Sequence, residues 1–351
     1  MYSVELSKCF GKMKAPKFKK IKKESFNLTS VLVGLTVVVI AVSLSICKSE
    51  KPIEVDEPKV CEVELRNDTL KSWVLVNNMN NGWNKNDNSR NMKRVFKRLG
   101  YEQVNGLKDD WDVLWTVGNP FEGTNLSNTV LKPHQRINHF IGMPLLTTKR
   151  NLVTQTKSKY IPQAFQFPSQ IDDFKEFIKN NPNKKFVVKN YDNRGVKIVK
   201  EEEIDYNSTK KFVQEFIEDP LLIDDRAFDF GVYVLITSIS PLRIYRFKSE
   251  VLVRFCPEPY HPFDPNNVEK YVVQDSHRTV WEMPSLKKYS EEFGFSYKTS
   301  VESHLASRGI NVNKLWEQID DAIVTLIQEK ELQFTRLVNT YSIYIYKSNL
   351  K

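Results

Sequence analysis

The sequence predicts an α/β (α+β) fold, with a small α/β subdomain followed by a larger two-lobed domain of mixed and antiparallel sheets. Residues 71–117 contain a strand, a helix and a strand in that order. After residue 144, short apolar runs are separated by glycine, proline or polar turns. A chain of 351 residues is long enough to bury a sizeable core in two such units.

The first unit is predicted over residues 71–143. Lys71–Val76 is a short apolar run typical of a strand, and Trp111–Val117 is a second. Between them, Met92–Leu99 has helical spacing and ends at Gly100, a residue that favours the end of a helix. A strand, a helix and a strand within this length indicate a small α/β subdomain.

The second unit is predicted over residues 144–331. Its last element is an amphipathic helix at Leu315–Glu331, and residues 332–351 are expected to form a divergent tail. The predicted strands share a high content of Val, Ile, Leu and Phe: Phe186–Lys189, Val196–Val199, Phe212–Ile217, Val232–Ser238, Leu242–Phe247 and Leu252–Phe255.

A charge-free apolar run from Leu28 to Cys47 predicts a transmembrane helix. A buried core helix or a cleaved signal peptide is the alternative. Lysines crowd residues 12–23 and acidic residues follow the run, so a basic cytosolic tail (1–27) and a stalk (48–70) are expected to flank the helix. This pattern predicts a single-pass type II membrane protein whose main domain is luminal or extracellular.

The net charge of +9 comes largely from that lysine cluster, so no nucleic-acid partner is expected. The chain has four cysteines, and their spacing matches neither a metal site nor a redox motif. Cys61 and Cys256 leave two interpretations open, a disulfide or two free thiols.

A series of motifs in a fixed order resembles the tubulin tyrosine ligase-like family, which belongs to the ATP-grasp superfamily. The resemblance covers about residues 70–330. The motifs are Trp111-Asp-Val-Leu-Trp115, Gln135-Arg-Ile-Asn-His-Phe140, Leu146-Thr-Thr-Lys149 with Leu152, Tyr160-Ile-Pro-Gln-Ala-Phe165 with Pro168, Lys189, Arg194-Gly195, Gln214-Glu-Phe-Ile217, Pro220-Leu-Leu-Ile223, Phe228-Asp229, Val232-Tyr-Val-Leu235, Ser240-Pro-Leu-Arg-Ile-Tyr245 and Arg254-Phe255.

The resemblance implies an ATP-grasp-like fold for residues 144–331 and an ATP-dependent, Mg²⁺-dependent ligase. Enzymes of this family form an acyl phosphate on a carboxylate, which the amine of an amino acid then attacks. The substrate implied for this chain is an acidic protein tail such as that of tubulin, to which glutamate is added.

The ATP-binding residues that the resemblance implies are Lys189, Arg194, Gly195, Gln214, Glu215, Phe216, Ile217 and Asp229. Lys189 would place a positive charge over the phosphates, and the Arg194-Gly195 turn would bring backbone N–H groups to them. Residues 214–217 would read the adenine edge, and Asp229 would meet Mg²⁺ or a cation. A solvated strand end, an ordinary hairpin turn and a strand cap are the structural alternatives for Lys189, Arg194-Gly195 and Asp229.

The chain departs from the family at several chemically important positions. Ala227 and Gly231 stand where the family motif Lys-Phe-Asp-x-Arg has its two cations. Tyr271–Gln274 replaces His-Leu-Thr-Asn, and Asn190 replaces a proline. The family's final strand, with its Glu-x-Asn pair for Mg²⁺, is expected to be missing. A single carboxylate holds Mg²⁺ poorly, so an impaired or inactive ligase is predicted and no catalytic residue is assigned.

Three functions are therefore compared. The first is a membrane-tethered ligase that adds glutamate or glycine to acidic protein tails. The second is a catalytically inactive ATP-grasp scaffold that binds nucleotide or a protein partner at a membrane. The third is a luminal glycosyltransferase, for which the only motif is the Asp-x-Asp triplet of Asp110 and Asp112.

Overall fold

The computed structural model describes residues 18–20, 34–41, 71–76, 90–104, 111–116, 119–121, 131–132, 134–191 and 195–348. Its strands are β1 (Phe18–Lys20), β2 (Gly34–Ala41), β3 (Lys71–Val76), β4 (Tyr101–Gln103), β5 (Val113–Thr116), β6 (Arg136–Ile137), β7 (Ala164–Gln166), β8 (Phe186–Asn190), β9 (Val196–Val199), β10 (Lys211–Glu215), β11 (Leu222–Ile223), β12 (Arg226–Ile239), β13 (Leu242–Phe247) and β14 (Leu252–Phe255). Its α-helices are α1 (Arg90–Arg98), α2 (Pro144–Thr147), α3 (Lys149–Thr154), α4 (Ile171–Asn180), α5 (Lys287–Glu292), α6 (Tyr297–Ser307) and α7 (Val312–Ser348). Short 3₁₀ segments occur at Glu201–Glu203, Val268–Lys270 and Val280–Glu282.

The first sheet is parallel and has the strand order β4–β3–β5–β6. Trp111, Leu114 and Ile137 form its buried core. Directly after β6, the side chain of Asn138 continues the pairing with β5. Its Oδ1 accepts the Thr116 N–H and its Nδ2 donates to the Thr116 carbonyl, both at 2.9 Å. This sheet and α1 form the strand–helix–strand unit predicted for this part of the chain.

The second sheet is antiparallel, with the order β7–β10–β8–β9. Helix α4 covers one of its faces. Phe174, on α4, is fully buried and packs its ring at 5.1 Å between centroids against both Phe165 and Phe186. The acidic residues in the first turn of α4 stabilise its N-terminus by interacting with the helix dipole.

The third sheet is built around β12, the longest strand. Strands β14 and β2 both pair with residues 229–231, so they lie on opposite edges of β12. The hairpin strand β13 pairs with the later part of β12, and β11 pairs with its start. Residues of β12 at alternate positions, such as Phe230 and Val232, are buried in a core that α6 and α7 complete. The observed fold is therefore mixed α/β with antiparallel sheets, as predicted.

The predicted transmembrane helix is wrong. Gly34–Ala41, in the middle of the apolar run, is strand β2 and pairs in parallel with β12 from Asp229 to Ile236. Within the described residues, no helix combines the length and the apolar character that crossing a bilayer requires. The type II membrane topology, with its luminal or extracellular domain, was inferred from this helix and is wrong with it. The physical reason is composition: the run is rich in Val, Ile and Thr, which favour a strand wherever a partner strand is present.

The rest of that prediction, residues 1–17, 21–33 and 42–70, lies outside the described residues, as does the C-terminal end of the predicted tail at residues 349–351. The final helix α7 runs from Val312 to Ser348 and is longer than the predicted helix at Leu315–Glu331. The subdomain boundaries near residues 143 and 331 stay predictions.

Candidate functional site

The second sheet has one face packed on α4 and one face directed away from it. Side chains alternate along a strand, and residues directly opposite each other in an antiparallel pair share a face. Phe186 and Val213 belong to the core beneath α4. Lys189 is three residues after Phe186 and Gln214 is next to Val213, so both side chains lie on the other face. The alternation of β8 and β10 thus places a cation and an amide together outside the core.

Lys189 is held by a hydrogen bond from its Nζ to Gln214 Oε1 at 2.7 Å, and Gln214 Nε2 donates to the Pro162 carbonyl at 3.1 Å. Burial, with a smaller contribution from the positive charge of Lys149, lowers the pKa of Lys189 to about 8. No carboxylate is hydrogen-bonded to the Lys189 ammonium within the described residues. A cation in this state gains free energy when an anion approaches it.

Asp229 lies on β12 directly opposite Arg254 on β14. The two side chains form a bidentate pair, Arg254 Nε to Asp229 Oδ1 at 3.0 Å and Arg254 Nη2 to Oδ2 at 2.5 Å. Burial raises the pKa of Asp229, and the opposing effects of Arg254, His277 and Lys149 are smaller.

The positive charge of Lys149 affects the pKa of Lys189 in the second sheet and the pKa of Asp229 in the third sheet. We call Lys149, Lys189, Gln214, Asp229 and Arg254 the polar cluster. Lys149 begins α3, directly after Thr148, which has an extended backbone conformation. Sequence reasoning used Lys149 and Arg254 only as family motifs and did not assign them to the site, because no local pattern shows that a helix start approaches these two strands.

Ala227 and Gly231 lie on the same face of β12 as Asp229, since they are two residues before and after it. The cations that the family motif carries at these positions would therefore flank Asp229. At Gly231 the space is limited, because an added Cβ would lie 3.0 Å from the Leu252 Cβ on the neighbouring strand. A side chain at position 231 would therefore require Leu252 to shift.

The segment predicted to read adenine leaves the second sheet at the end of β10. Glu215 pairs with Lys184 at 2.5 Å, and the Phe216 N–H donates to the Lys185 carbonyl at 2.8 Å. The Phe216 ring packs against the rings of Phe263 and Tyr271, each at 5.7 Å between centroids. Ile217 follows as a half-buried residue. Backbone hydrogen bonds and side-chain contacts therefore hold this segment in place. The role of residues 214–217 stays a prediction.

Gly195 directly precedes β9 and has a φ of +72°, a conformation that favours glycine, and an added Cβ would lie 2.9 Å from Asn190 Nδ2. Arg194, the other predicted phosphate-binding residue of this turn, lies outside the described residues. The same is true of Cys61 and Asp110. Cys256 is a fully buried free thiol, and burial raises its pKa to about 12. Gln274, the last residue of the segment expected to stand in place of the family's His-Leu-Thr-Asn, accepts the His277 N–H through its backbone carbonyl.

The fit to the two implied cofactors differs. The partly buried Lys189 and the exposed Lys149 both supply positive charge, which suits a polyphosphate. Mg²⁺ fits less well, because both carboxylate oxygens of Asp229 are bonded to Arg254. In addition, the described residues contain no group of three or more His, Cys, Asp or Glu side chains placed to hold a metal ion.

Comparison with known proteins finds relatives that are named as tubulin polyglutamylases. The chain is 39% identical over 241 residues to "Probable tubulin polyglutamylase ttll-15" of Caenorhabditis elegans, covering 66% of this chain and 46% of that protein. It is 33% identical over 257 residues to "Probable beta-tubulin polyglutamylase" of Tetrahymena thermophila, covering 67% and 21%. The chain therefore spans less than half the length of these relatives.

Among solved structures, the C-terminal domain of K. lactis Pby1, described as an ATP-grasp enzyme that interacts with the mRNA decapping enzyme Dcp2, matches at 15% identity. The match covers 66% of this chain and 72% of that one, with a TM-score of 0.38, which is too low to establish a shared fold. The Tubulin-tyrosine ligase family matches residues 127–348, a range that contains the whole polar cluster. The chain belongs to the tubulin-tyrosine ligase family.

Proposed function

We propose that the chain binds ATP at the polar cluster and, as a member of this family, uses it to join glutamate to an acidic protein tail such as that of tubulin. The observation that carries the nucleotide site is Lys189, a half-buried ammonium whose pKa is lowered to about 8 and whose Nζ is bonded to the neutral Gln214 amide. Relatives named as tubulin polyglutamylases support the choice of glutamate and tubulin.

In this proposal each part of the cluster has a separate task. Lys189 and Lys149 would neutralise phosphate oxygens, which is the main contribution of a protein to phosphoryl transfer. Residues 214–217 would hold the adenine beside the Phe216 ring, and the Gly195 turn would allow close backbone approach to the phosphates. Bound ATP would supply the phosphoryl group that activates the acceptor carboxylate.

A second candidate, nucleotide binding without ligation, is favoured by one specific observation. Arg254 occupies both oxygens of Asp229, and the flanking positions Ala227 and Gly231 carry no cation. A site arranged in this way would keep the positive charge of Lys149 and Lys189 for ATP. It would lack the guanidinium and ammonium that the family motif places beside its aspartate.

Two measurements on the same purified chain separate these candidates. Calorimetric titration with ATP, with and without Mg²⁺, tests binding, and incorporation of radiolabelled glutamate into tubulin, beside an active family enzyme, tests ligation. Binding with incorporation supports the ligase, and binding without incorporation supports the scaffold. Absence of ATP binding at millimolar concentrations would reject both.

A further inference from the structure

The face of the second sheet that is turned away from α4 carries a row of side chains along β8 and β10. Gln214 and Lys189 lie on this face, and Phe212 is directly opposite Lys189 in the pairing of the two strands. The Tyr191 N–H donates to the Lys210 carbonyl at 3.1 Å, which extends this pairing by one residue beyond β8. Tyr191 therefore lies on the same face, two residues after Lys189.

An aromatic pair and a cation lie together at the Tyr191 end of this face. The Tyr191 ring stacks on the Phe212 ring, with 6.4 Å between centroids and 21° between planes. Phe212 is buried, although it does not belong to the core beneath α4. The Arg150 Cζ lies 4.6 Å from the centroid of the Tyr191 ring. This cation–π contact holds the guanidinium against the end of the sheet where Tyr191 lies.

The positive charge of Arg150 is not neutralised by the protein. Arg150 lies on α3 directly after the exposed Lys149, and its own side chain is half-buried. Its Nε donates to the neutral Asn151 Oδ1 at 3.3 Å. Among the described residues, its two Nη atoms have no hydrogen-bond partner, and neither of them is enclosed by the protein. A ligand can therefore reach both atoms, and two adjacent cations favour an anionic one.

The order of these side chains along the face matches the order of the parts of ATP. Gln214 belongs to the segment proposed to hold adenine, and Lys189 is proposed to neutralise phosphate. Tyr191 is level with residue 210, four residues along the strand from Gln214, which is about 13 Å at a rise of about 3.3 Å per residue. A triphosphate that runs from the adenine end past Lys189 therefore ends beside Arg150.

We propose that Arg150 binds the terminal phosphate of ATP, with the Tyr191 ring as the platform that holds its guanidinium in place. This inference rests on the proposed nucleotide site and adds to it the residue that distinguishes ATP from ADP. A guanidinium can bond two oxygens of one phosphate, and the neighbouring Lys149 supplies a second positive charge. Removing the last phosphate from the ligand and removing the guanidinium from the chain should then cost the same interaction.

The test compares ATP with ADP by calorimetric titration of the full chain at one fixed Mg²⁺ concentration. In the parent chain, ATP should bind at least roughly tenfold more tightly than ADP. Arg150→Met should weaken ATP binding roughly tenfold and leave ADP binding unchanged, so the preference for ATP should disappear. A purely structural role of Arg150 would weaken both nucleotides equally. An unchanged ratio of the two affinities in the variant would therefore overturn the proposal.

Further variants test the guanidinium and its platform separately. Arg150→Lys keeps the charge but not the planar pair of donors, so it should recover only part of the preference for ATP. Tyr191→Leu should reduce the preference about threefold in the parent chain and should have no further effect in Arg150→Met. Lys179→Met, exposed on α4 over the opposite face of the sheet, is the matched control and should keep the parental preference. Equal effects of Tyr191→Leu in both backgrounds would contradict the role of the platform.

The outcomes separate the role of Arg150 from the nucleotide site on which it rests. If neither nucleotide binds the parent chain at millimolar concentrations, both are rejected. If the parent binds ATP and ADP equally well, or if Arg150→Met keeps the parental ratio, only the role of Arg150 is rejected. Thermal unfolding shows whether each variant is folded. If Arg150→Met does not fold, Arg150→Lys and Tyr191→Leu decide, and a parental ratio in both would contradict the proposal.

Discussion

The ammonium of Lys330, on helix α7, donates a hydrogen bond to the backbone carbonyl of Gln155, at the start of the segment that leads into the second sheet. Only 1% of the Lys330 side chain is exposed. Nearby, Glu329 accepts the Lys157 N–H at 2.9 Å, and the Tyr160 hydroxyl bonds to Asp321 of the same helix. Helix α7 therefore fixes residues 155–160 against the third sheet, and these residues connect α3, which carries Lys149, to β7.

Replacing Lys330 should destabilise the protein through this contact. Lys330→Met keeps most of the volume but leaves the Gln155 carbonyl without its donor, so the free energy of unfolding should fall by about 1–3 kcal/mol. Lys330→Ala adds a cavity and should lower the free energy of unfolding by about 2–4 kcal/mol. Urea denaturation measures both, with the exposed Lys314→Met as control. A Met variant as stable as the parent would show that the contact is not needed.

Gly195 should be intolerant of a side chain for two reasons that can be separated. Gly195→Ala places a Cβ at a φ of +72° and 2.9 Å from Asn190 Nδ2, so we expect a loss of stability of about 1–2 kcal/mol. Gly309→Ala is the matched control, because its φ is +79° and its Cβ would contact nothing within 4 Å. Thermal unfolding of both, with Asn190→Ala added to the first, measures the steric part. Equal losses in all variants would mean that Asn190 contributes nothing.

The Asp229–Arg254 pair is half-buried, and breaking it from one side should cost more than removing it entirely. Arg254→Met leaves a carboxylate in a partly desolvated position, so stability at pH 7 should fall by about 2–3 kcal/mol. Adding Asp229→Asn to that variant should recover part of the loss. A double-mutant cycle by chemical denaturation measures the coupling. Strictly additive losses would show that the two side chains do not stabilise each other.

Lys189 should make stability depend on pH in the alkaline range. Its folded pKa of about 8 lies below the ordinary lysine value of 10.5, so between these values the unfolded chain binds the extra proton. Stability from this residue is therefore fully present above pH 10.5 and falls as pH decreases to about 8. The change should be at most about 3.5 kcal/mol by linkage, since each pKa unit corresponds to about 1.4 kcal/mol. Comparing unfolding of the parent and of Lys189→Met across this range isolates it, and identical pH profiles would contradict the lowered pKa.

Most strands of the second and third sheets could be predicted from the sequence, because short apolar runs between turns are a local signal. Val196–Val199, Leu242–Phe247 and Leu252–Phe255 have the predicted bounds. The first half of β12 was missed. Ala227, Asp229 and Gly231 have low strand propensity, and only pairing with β14 and β2 makes this segment a strand.

In the candidate site, only residues that belong to family motifs could be predicted from the sequence. Lys189 and Gln214 are on neighbouring strands with a recognisable pattern, whereas the approach of Lys149 depends on how two sheets pack. The apolar run around β2 was wrongly predicted to be a membrane helix. Its Val, Ile and Thr residues favour a strand only where a partner strand is present, and the edge of β12 supplies that partner.

The central claim is that ATP binds next to Lys189, and proton-linked calorimetry tests it most directly. An anion beside Lys189 should raise its pKa from about 8, so ATP binding at pH 8.5 should be accompanied by proton uptake, seen as a binding enthalpy that varies with the ionisation enthalpy of the buffer. Lys189→Met should lose both the uptake and at least roughly tenfold in affinity, while the exposed Lys211→Met should retain both. ATP binding of equal strength and equal proton uptake in Lys189→Met and in the parent chain would contradict the account.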